Sequence, residues 1–212
     1  METIRLLVAA RPAGGPIAEG YGHIYKTFMT KPVTSGPTIP FKVRRLEAGD
    51  VDEYRELRLE SIRAHPESFG ASLASEEEKP ISWWIERLQT TAVWGGWLDD
   101  SPLAGVAGLA VYEAPKLRHK GVLWGMYVRP EARGRGLAAA LVHQVLAHAR
   151  ALVEQVCLTV VASNIAARRL YTAAGFQEYG LERRGLKVGT EYYDQVLMVL
   201  PLDPCGERSA GD

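Results

Sequence analysis

Cysteine is nearly missing from this chain: 212 residues hold two, Cys157 inside an apolar run and Cys205 in a polar tail. That excludes a disulfide framework. Neither residue has a partner at C-x-x-C spacing, so a metal or redox pair is not expected and a reducing compartment, the cytoplasm, fits best. Net charge is missing too, since Lys plus Arg equals Asp plus Glu at 25 each. With no global field to gather phosphate backbones or anionic lipid, neither nucleic acid nor a membrane is an expected partner, and any anion site must be local. Long apolar runs are also lacking. No stretch approaches the roughly 20 residues that span a bilayer, and the run Leu6 to Ala10 is shorter than a signal-peptide core of about 7–15, so a soluble, unexported protein is expected.

At 47% apolar and 24% charged residues, the composition suits one compact domain with tail to spare. Residues 1–40 lack a sustained period of 2 or 3.6. They carry Pro12, Gly14, Gly15, Pro16, Gly20, Gly22, Pro32, Gly36, Pro37 and Pro40, so a poorly ordered extension is expected there. Met29 raises an internal natural start as a second reading. The domain is expected over 41–202, followed by a tail over 203–212.

Within the domain the elements alternate. Phe41 to Leu46 reads as a strand, and Asp50 followed by Glu53 resembles a capping box opening a helix with the inner stripe Val51, Tyr54, Leu57 and Ser61/Ile62. That helix should stop before Pro66. A second runs from Pro80 through Trp83, Trp84, Ile85 and Leu88. Two strands, Ala92 to Leu98 and Leu103 to Tyr112, join through Asp99-Asp100-Ser101-Pro102 as an antiparallel hairpin expected at the middle of the sheet. Then come a strand from Val122 to Val128, a helix from about Gly136 to Arg150, a strand from Val156 to Val161 and a helix from Ala166 to Ala174. Closing strands are expected at Gln177 to Glu182 and Tyr192 to Leu200, with no internal repeat.

The sharpest local feature is VRPEARGRGLA, Val128 to Ala138, where a strand passes through a glycine turn into an Ala/Leu-rich helix. The first turn of a helix has backbone N–H groups without intrahelical partners, and its dipole adds partial positive charge, so a pyrophosphate can sit there. Arg133 and Arg135 add charge, and Gly134, Gly136 and Ala138 remove bulk. A solvated connection is the alternative reading of such a turn. RGRGLA lacks the G-x-G-x-x-G and downstream acid of a dinucleotide-binding oxidoreductase.

Twenty-eight residues after Gly136 begins NIAARRLYTAAGF, Asn164 to Phe176, directly behind a strand. Arg133-x-x-Gly136-x-Ala138 resembles the coenzyme A signature of the GNAT acetyltransferase superfamily, and the second segment resembles the Asn…Leu-Tyr…Gly-Phe stretch that follows it there. The likeness covers roughly 41–202. It implies an α+β fold, with a mixed, mostly antiparallel sheet of about seven strands, flanked by about four helices and splayed between strands four and five. It also implies acetyl-CoA as acyl donor, with no metal. Backbone groups of Met126, Tyr127 and Val128 would pair with the pantetheine arm like an added strand. The loop Arg133, Gly134, Arg135, Gly136, Leu137 and Ala138 would hold the pyrophosphate, and Asn164 and Tyr171 would lie along the pantetheine and the thioester sulfur. Both also have plain structural readings, Asn164 as a helix N-cap and Tyr171 as a core aromatic.

Acyl transfer needs a neutral amine, a donor for the developing oxyanion and a proton for the departing thiolate. The resemblance implies Tyr171 for that proton and the Val128 amide for the oxyanion. No carboxylate occurs in Val122 to Val128. Thr159 stands where the ribosomal-protein N-terminal acetyltransferases carry a glutamate, which weakens a peptide-acetylating assignment. Glu113 and His119 are the candidate bases, acting directly or through water.

Acceptor choice in this family is attributed to the first two helices, their connection and the loop before the last strand, which points to Phe69 in the segment His65 to Phe69, to Trp83 and Trp84, and to Tyr193 beside Tyr192. Trp124, read as alternating with Met126, either lines the acceptor site or fills the core. Three classes remain: an acetyltransferase for a small-molecule amine, which leads; a protein lysine or N-terminal acetyltransferase; and a non-catalytic acyl-CoA-binding sensor. Homodimers are common among proteins resembling this one, and the aromatic content suits an interface.

Overall fold

The structure, a computed structural model, describes residues 41–99 and 101–202. The expectations for 1–40, for the 203–212 tail with Cys205 and for Asp100 lie outside the described residues. The elements run β1 (Phe41–Arg45), α1 (Val51–Ala64), α2 (Leu73–Glu77), α3 (Ile81–Thr90), β2 (Ala92–Leu98), β3 (Gly105–Val111), β4 (Lys120–Val128), α4 (Leu137–Ala149), β5 (Gln155–Val161), α5 (Ile165–Ala173), β6 (Gln177–Val188) and β7 (Glu191–Pro201). The seven strands form one sheet in the order β1-β2-β3-β4-β5-β7-β6. Every neighbouring pair is antiparallel except β4 and β5. This is the mixed, mostly antiparallel sheet the sequence predicts, with one helix more than expected.

Two cores sandwich the sheet, as the period-2 alternation of its strands requires. On one face α4 contributes Leu137, Leu141, Val142 and Val145, none more than 1% exposed, together with Tyr171 and Phe176. Val93, Val106 and Tyr127 point to the other face, against Tyr54 and Leu57 of α1 and Trp84 and Leu88 of α3. Each such side chain contributes about 1.5–3 kcal/mol by leaving water, so these helices are fixed by packing rather than propensity. α1 buries its expected stripe and ends at Ala64, one residue before the position preceding Pro66. Among the described residues no helix is long and apolar enough to cross a membrane.

Three expectations need correction. The β2–β3 hairpin is not the middle of the sheet, for β4 is the fourth of the seven strands. The Asp50 carboxylate does not cap α1: it accepts from the Glu47 amide at 2.8 Å and from both Arg44 terminal nitrogens at 2.7 Å, so the box lies one turn earlier, at Glu47–Asp50. A charge-assisted fork outcompetes a neutral N–H for the same oxygens. The closing strands are also longer than expected and turn at Gly189, whose φ of +58° suits a residue without a Cβ.

Candidate functional site

β4 and β5 pair only at Lys120–Val122 with Gln155–Cys157 and then part, so β4 from Leu123 onward has a free edge on that side. The Arg129 amide donates to Ala104 at 2.8 Å, and Gly105 stands opposite Val128. Because inward- and outward-pointing groups alternate along an antiparallel ladder, the N–H of Val128 turns away from β3, toward the parting. A bulge interrupts the ladder: Val106 pairs with Tyr127 but Gly108 with Trp124, so Gly125 and Met126 oppose Ala107 alone. Gly125 has φ of +65°. One extra residue reverses the facing of everything beyond it. Trp124 and Met126 therefore do not share a face, contrary to the sequence reading: Trp124 packs into the core of α1 and α3, Met126 against that of α4.

The strand leads into the glycine turn. Arg133 Nε donates to the Val128 carbonyl at 2.9 Å, closing the turn and leaving that residue's N–H unspent. Gly134 and Gly136 have φ of +74° and +86°, which only glycine adopts without strain. The first amide of α4 to find an intrahelical acceptor is Ala140, bonded to Gly136 at 3.0 Å. The N–H groups of Leu137, Ala138 and Ala139 are thus the orphan donors of a helix start. A Cβ on Gly134 would meet nothing within 4 Å, and one on Gly136 only the Phe41 ring at 3.9 Å. Bare donors, open space and the exposed Arg133 and Arg135 fit a pyrophosphate. Leu137 differs: its side chain is fully buried, so only its amide can serve.

Asn164 caps α5, its Oδ1 accepting from the Ala167 amide at 3.1 Å. Asn164→Ala should cost about 1 kcal/mol, read as a lower urea midpoint at unchanged m-value. Tyr171, 6% exposed, packs edge-on against Phe176 at 5.9 Å and shares a core with Val128, Leu137 and, at its margin, Met126 and Ala138. Burial pushes its phenol well above the ordinary range, so it stays protonated at any physiological pH.

The register carries Glu113 and His119 to the wrong end. Glu113 is an exposed residue two beyond the end of β3, and His119 immediately precedes β4, its carbonyl accepting from Glu154 and Gln155 where β4 and β5 are still paired. Nine residues separate His119 from Val128, roughly 30 Å of strand. Both therefore lie at the paired end of β4 and β5, away from Val128. Tyr193, half-buried on β7, does lie at the open end, beside Asp194, whose carbonyl takes the Ala162 amide just past β5. Phe69, half-buried, is stacked by the Arg58 guanidinium at 4.6 Å, and the preceding turn, Pro66–Ser68, lies against β5 and β6. Trp84 is core; Trp83 is half-buried.

Two charged groupings escaped the sequence reading. Glu60 of α1 accepts from Tyr127 Oη at 3.0 Å and Arg129 Nε at 2.9 Å, joining α1 to the end of β4. Glu76 of α2 accepts from Arg58 Nε and Nη2 at 2.9 and 3.0 Å and from Arg87 at 3.2 Å, deep beneath the same strand. The i, i+4 pair Glu56/Glu60 was the available signal for the first; a polar five-residue helix offers none for the second. No cluster of three or more His, Cys, Asp or Glu side chains placed to share a metal ion occurs among the described residues.

The family model for the acetyltransferase (GNAT) family matches residues 53–176, which contain the glycine turn and the parting strands. Among solved structures, a GNAT-family acetyltransferase from Streptococcus pneumoniae superposes with a TM-score of 0.69 at 20% identity, over 77% of this chain and 100% of that one. A putative acetyltransferase from Salmonella typhimurium, solved with its cofactor acetyl-CoA, gives 0.66 at 18% identity, over 82% and 98%. The ribosomal-protein-S18-alanine N-acetyltransferase of Escherichia coli gives 0.61 at 19%, over 81% and 100%. At these identities the likeness is one of fold.

Proposed function

The chain belongs to the acetyltransferase (GNAT) family of acyltransferases, and from that membership we propose that it transfers an acetyl group from acetyl-CoA directly to the primary amine of a small molecule. The observation that carries the reading is the parting of β4 from β5 beside a helix start with unspent amides. When bound, acetyl-CoA supplies the acetyl group as an activated thioester. The free edge of β4 at Met126 and Val128 binds the pantetheine arm as an added strand would. Amides of Leu137 to Ala139, with Arg133 and Arg135, would hold the pyrophosphate, and Asn164 Nδ2, left over from capping, would be free to donate to the arm. The Val128 N–H, turned away from β3, would donate to the thioester oxygen as negative charge develops there. Tyr171 Oη holds the proton that the leaving sulfur requires. Glu60 and Glu76 are both ion-paired with arginines, so the acceptor's ammonium proton goes to water.

A small acceptor is favoured over a peptide because Thr159, exposed on β5, puts no carboxylate where the sequence resemblance expects one in peptide-acetylating relatives. Titration calorimetry with acetyl-CoA tests the reading. Wild type should bind with micromolar affinity, Gly136→Glu should lose at least about 30-fold through charge repulsion at the helix start, and Gly136→Ala, equally strained at positive φ, should lose far less. Failure of the folded wild type to bind, or equal losses in the two variants, would overturn it.

A further inference from the structure

Among the described residues, four buried side-chain polar atoms have no hydrogen-bond partner: Tyr54 Oη, Arg58 Nη1, Trp84 Nε1 and Trp124 Nε1. All four carry a proton to donate, and their side chains belong to one cluster between α1, α3 and β4, with Trp124 Nε1 against Gly108 and Arg58 Nη1 at Gly125. The Trp124 ring is 4.5 Å from the Arg87 guanidinium, the Trp84 ring 6.0 Å from it, and Tyr54 packs on Trp84 at 5.8 Å. Arg58 and Arg87 share the single carboxylate of Glu76. Two guanidiniums facing one carboxylate leave a positive charge over, in a site where Arg58 is only 5% exposed. Native interiors do not leave donors this consistently unmatched, and a buried surplus charge is costly without a counter-ion. The cluster lacks acceptors and negative charge, and a carboxylate supplies both.

The direction of Arg58 is set by its bonds. Nε and Nη2 are spent on Glu76, and Phe69 covers the guanidinium at 4.6 Å. Nη1 points to the β4 bulge, where it is the one heavy atom that a Cβ on Gly125 would meet within 4 Å, at 3.9 Å. Gly125 lies on the parted stretch of β4, three residues before Val128. A group held by Nη1 is therefore held beside the reacting edge, on the face opposite α4.

We propose that the acceptor is an amino acid, an amine bearing a carboxylate a few bonds away, and that Arg58 Nη1 receives this carboxylate beside the Gly125 bulge. The assignment rests on the acetyl-transfer reading. Held there, the carboxylate fixes the amine at the β4 edge. Arg58 is a specificity-determining residue, and Glu76 and Arg87 position it.

The test compares glycine, L-alanine, β-alanine and L-phenylalanine with their amides, following acetyl-CoA-dependent thiol release. An amide's amine is the less basic and so more often neutral, and intrinsic reactivity favours it. The structure nonetheless calls for at least one acid to exceed its amide in kcat/KM by about 10- to 100-fold, the worth of a charge-assisted bond. Arg58→Lys, which keeps the charge beside Glu76 but not the fork, should bring the acid-to-amide ratio of kcat/KM down to about one or below. Amides turned over as well as or better than every acid would overturn the assignment. If no amine releases thiol, the acetyl-transfer reading fails by itself, and calorimetry decides the site: N-acetyl-L-alanine and N-acetyl-L-phenylalanine should bind the CoA-saturated wild type more tightly than their amides do, and equal binding overturns it. This arm also decides the case if Arg58→Lys does not fold.

Discussion

Phenylalanine at position 171 is expected to lower acetyl transfer by roughly 10²–10⁴-fold, the usual worth of a positioned acid, while acetyl-CoA binds as before. The substitution isolates the hydroxyl. The ring of Tyr171 fills a core position against Phe176, and Phe keeps that packing, whereas Ala would open a cavity and confound chemistry with stability. The hydroxyl forms no hydrogen bond to the described residues, so its loss orphans no partner, and the melting temperature should stay within about 2 °C of wild type. The pH dependence follows from burial. Because the phenol's pKa is raised, the proton-bearing form persists below the ordinary tyrosine value of about 10, and the ratio of wild-type to variant rates should be flat from about pH 7 to 9. Rates of both should rise with pH toward the acceptor amine's own pKa, since the unprotonated amine attacks. A kcat within threefold of wild type, measured with acetyl-CoA saturating, would remove Tyr171 from the mechanism.

How much of this was legible in the sequence depends on the range of the contacts involved. The stripe of α1, its stop before Pro66 and the strand–turn–helix at Val128 to Ala138 follow from local rules of period, proline and glycine, and the structure has them where those rules put them. The family and its fold were readable because the two motifs that carry them are short and contiguous. What went wrong is non-local. Nothing in the sequence says that Gly125 is a bulge; that depends on β3 offering one residue, Ala107, to two on β4, and the missed bulge put Trp124 and Met126 on one face. Glu113 and His119 looked close to the chemistry because they flank β4 in sequence, but direction along a strand becomes position only once the register and the parting are known. α2 stayed invisible for a related reason: its one buried residue is a glutamate, and a buried carboxylate is read as a solvated one until its arginines are found.

That glutamate supports a large stability effect from a single shape-conserving substitution. Glu76 is the point at which α2 is tied to α1 through Arg58 and to α3 through Arg87. Glu76→Gln keeps the shape but leaves two guanidiniums without a counter-charge, one of them nearly fully buried, and breaking such a pair costs about 3–5 kcal/mol. In a domain of this size that lowers the melting temperature by roughly 6–20 °C. Burial alone would raise the Glu76 carboxyl, but the hydrogen bonds and charge of Arg58, and then of Arg87, more than reverse it, and its pKa is lowered. A carboxyl whose folded pKa lies below its unfolded value stabilises the fold above the unfolded value and loses that contribution as pH falls through the folded one. The gap between wild type and Glu76→Gln should therefore be full at neutral pH and narrow as pH drops below about 4. Removing the charge that Glu76 answers should recover part of the loss, so Arg58→Gln/Glu76→Gln should melt above the sum of the single effects, a coupling of about 0.5–3 kcal/mol. Thermal melts of the four proteins across pH decide it: strict additivity, or a gap that does not close in acid, would mean that the three helices are held by their apolar contacts and that Glu76 merely accompanies them.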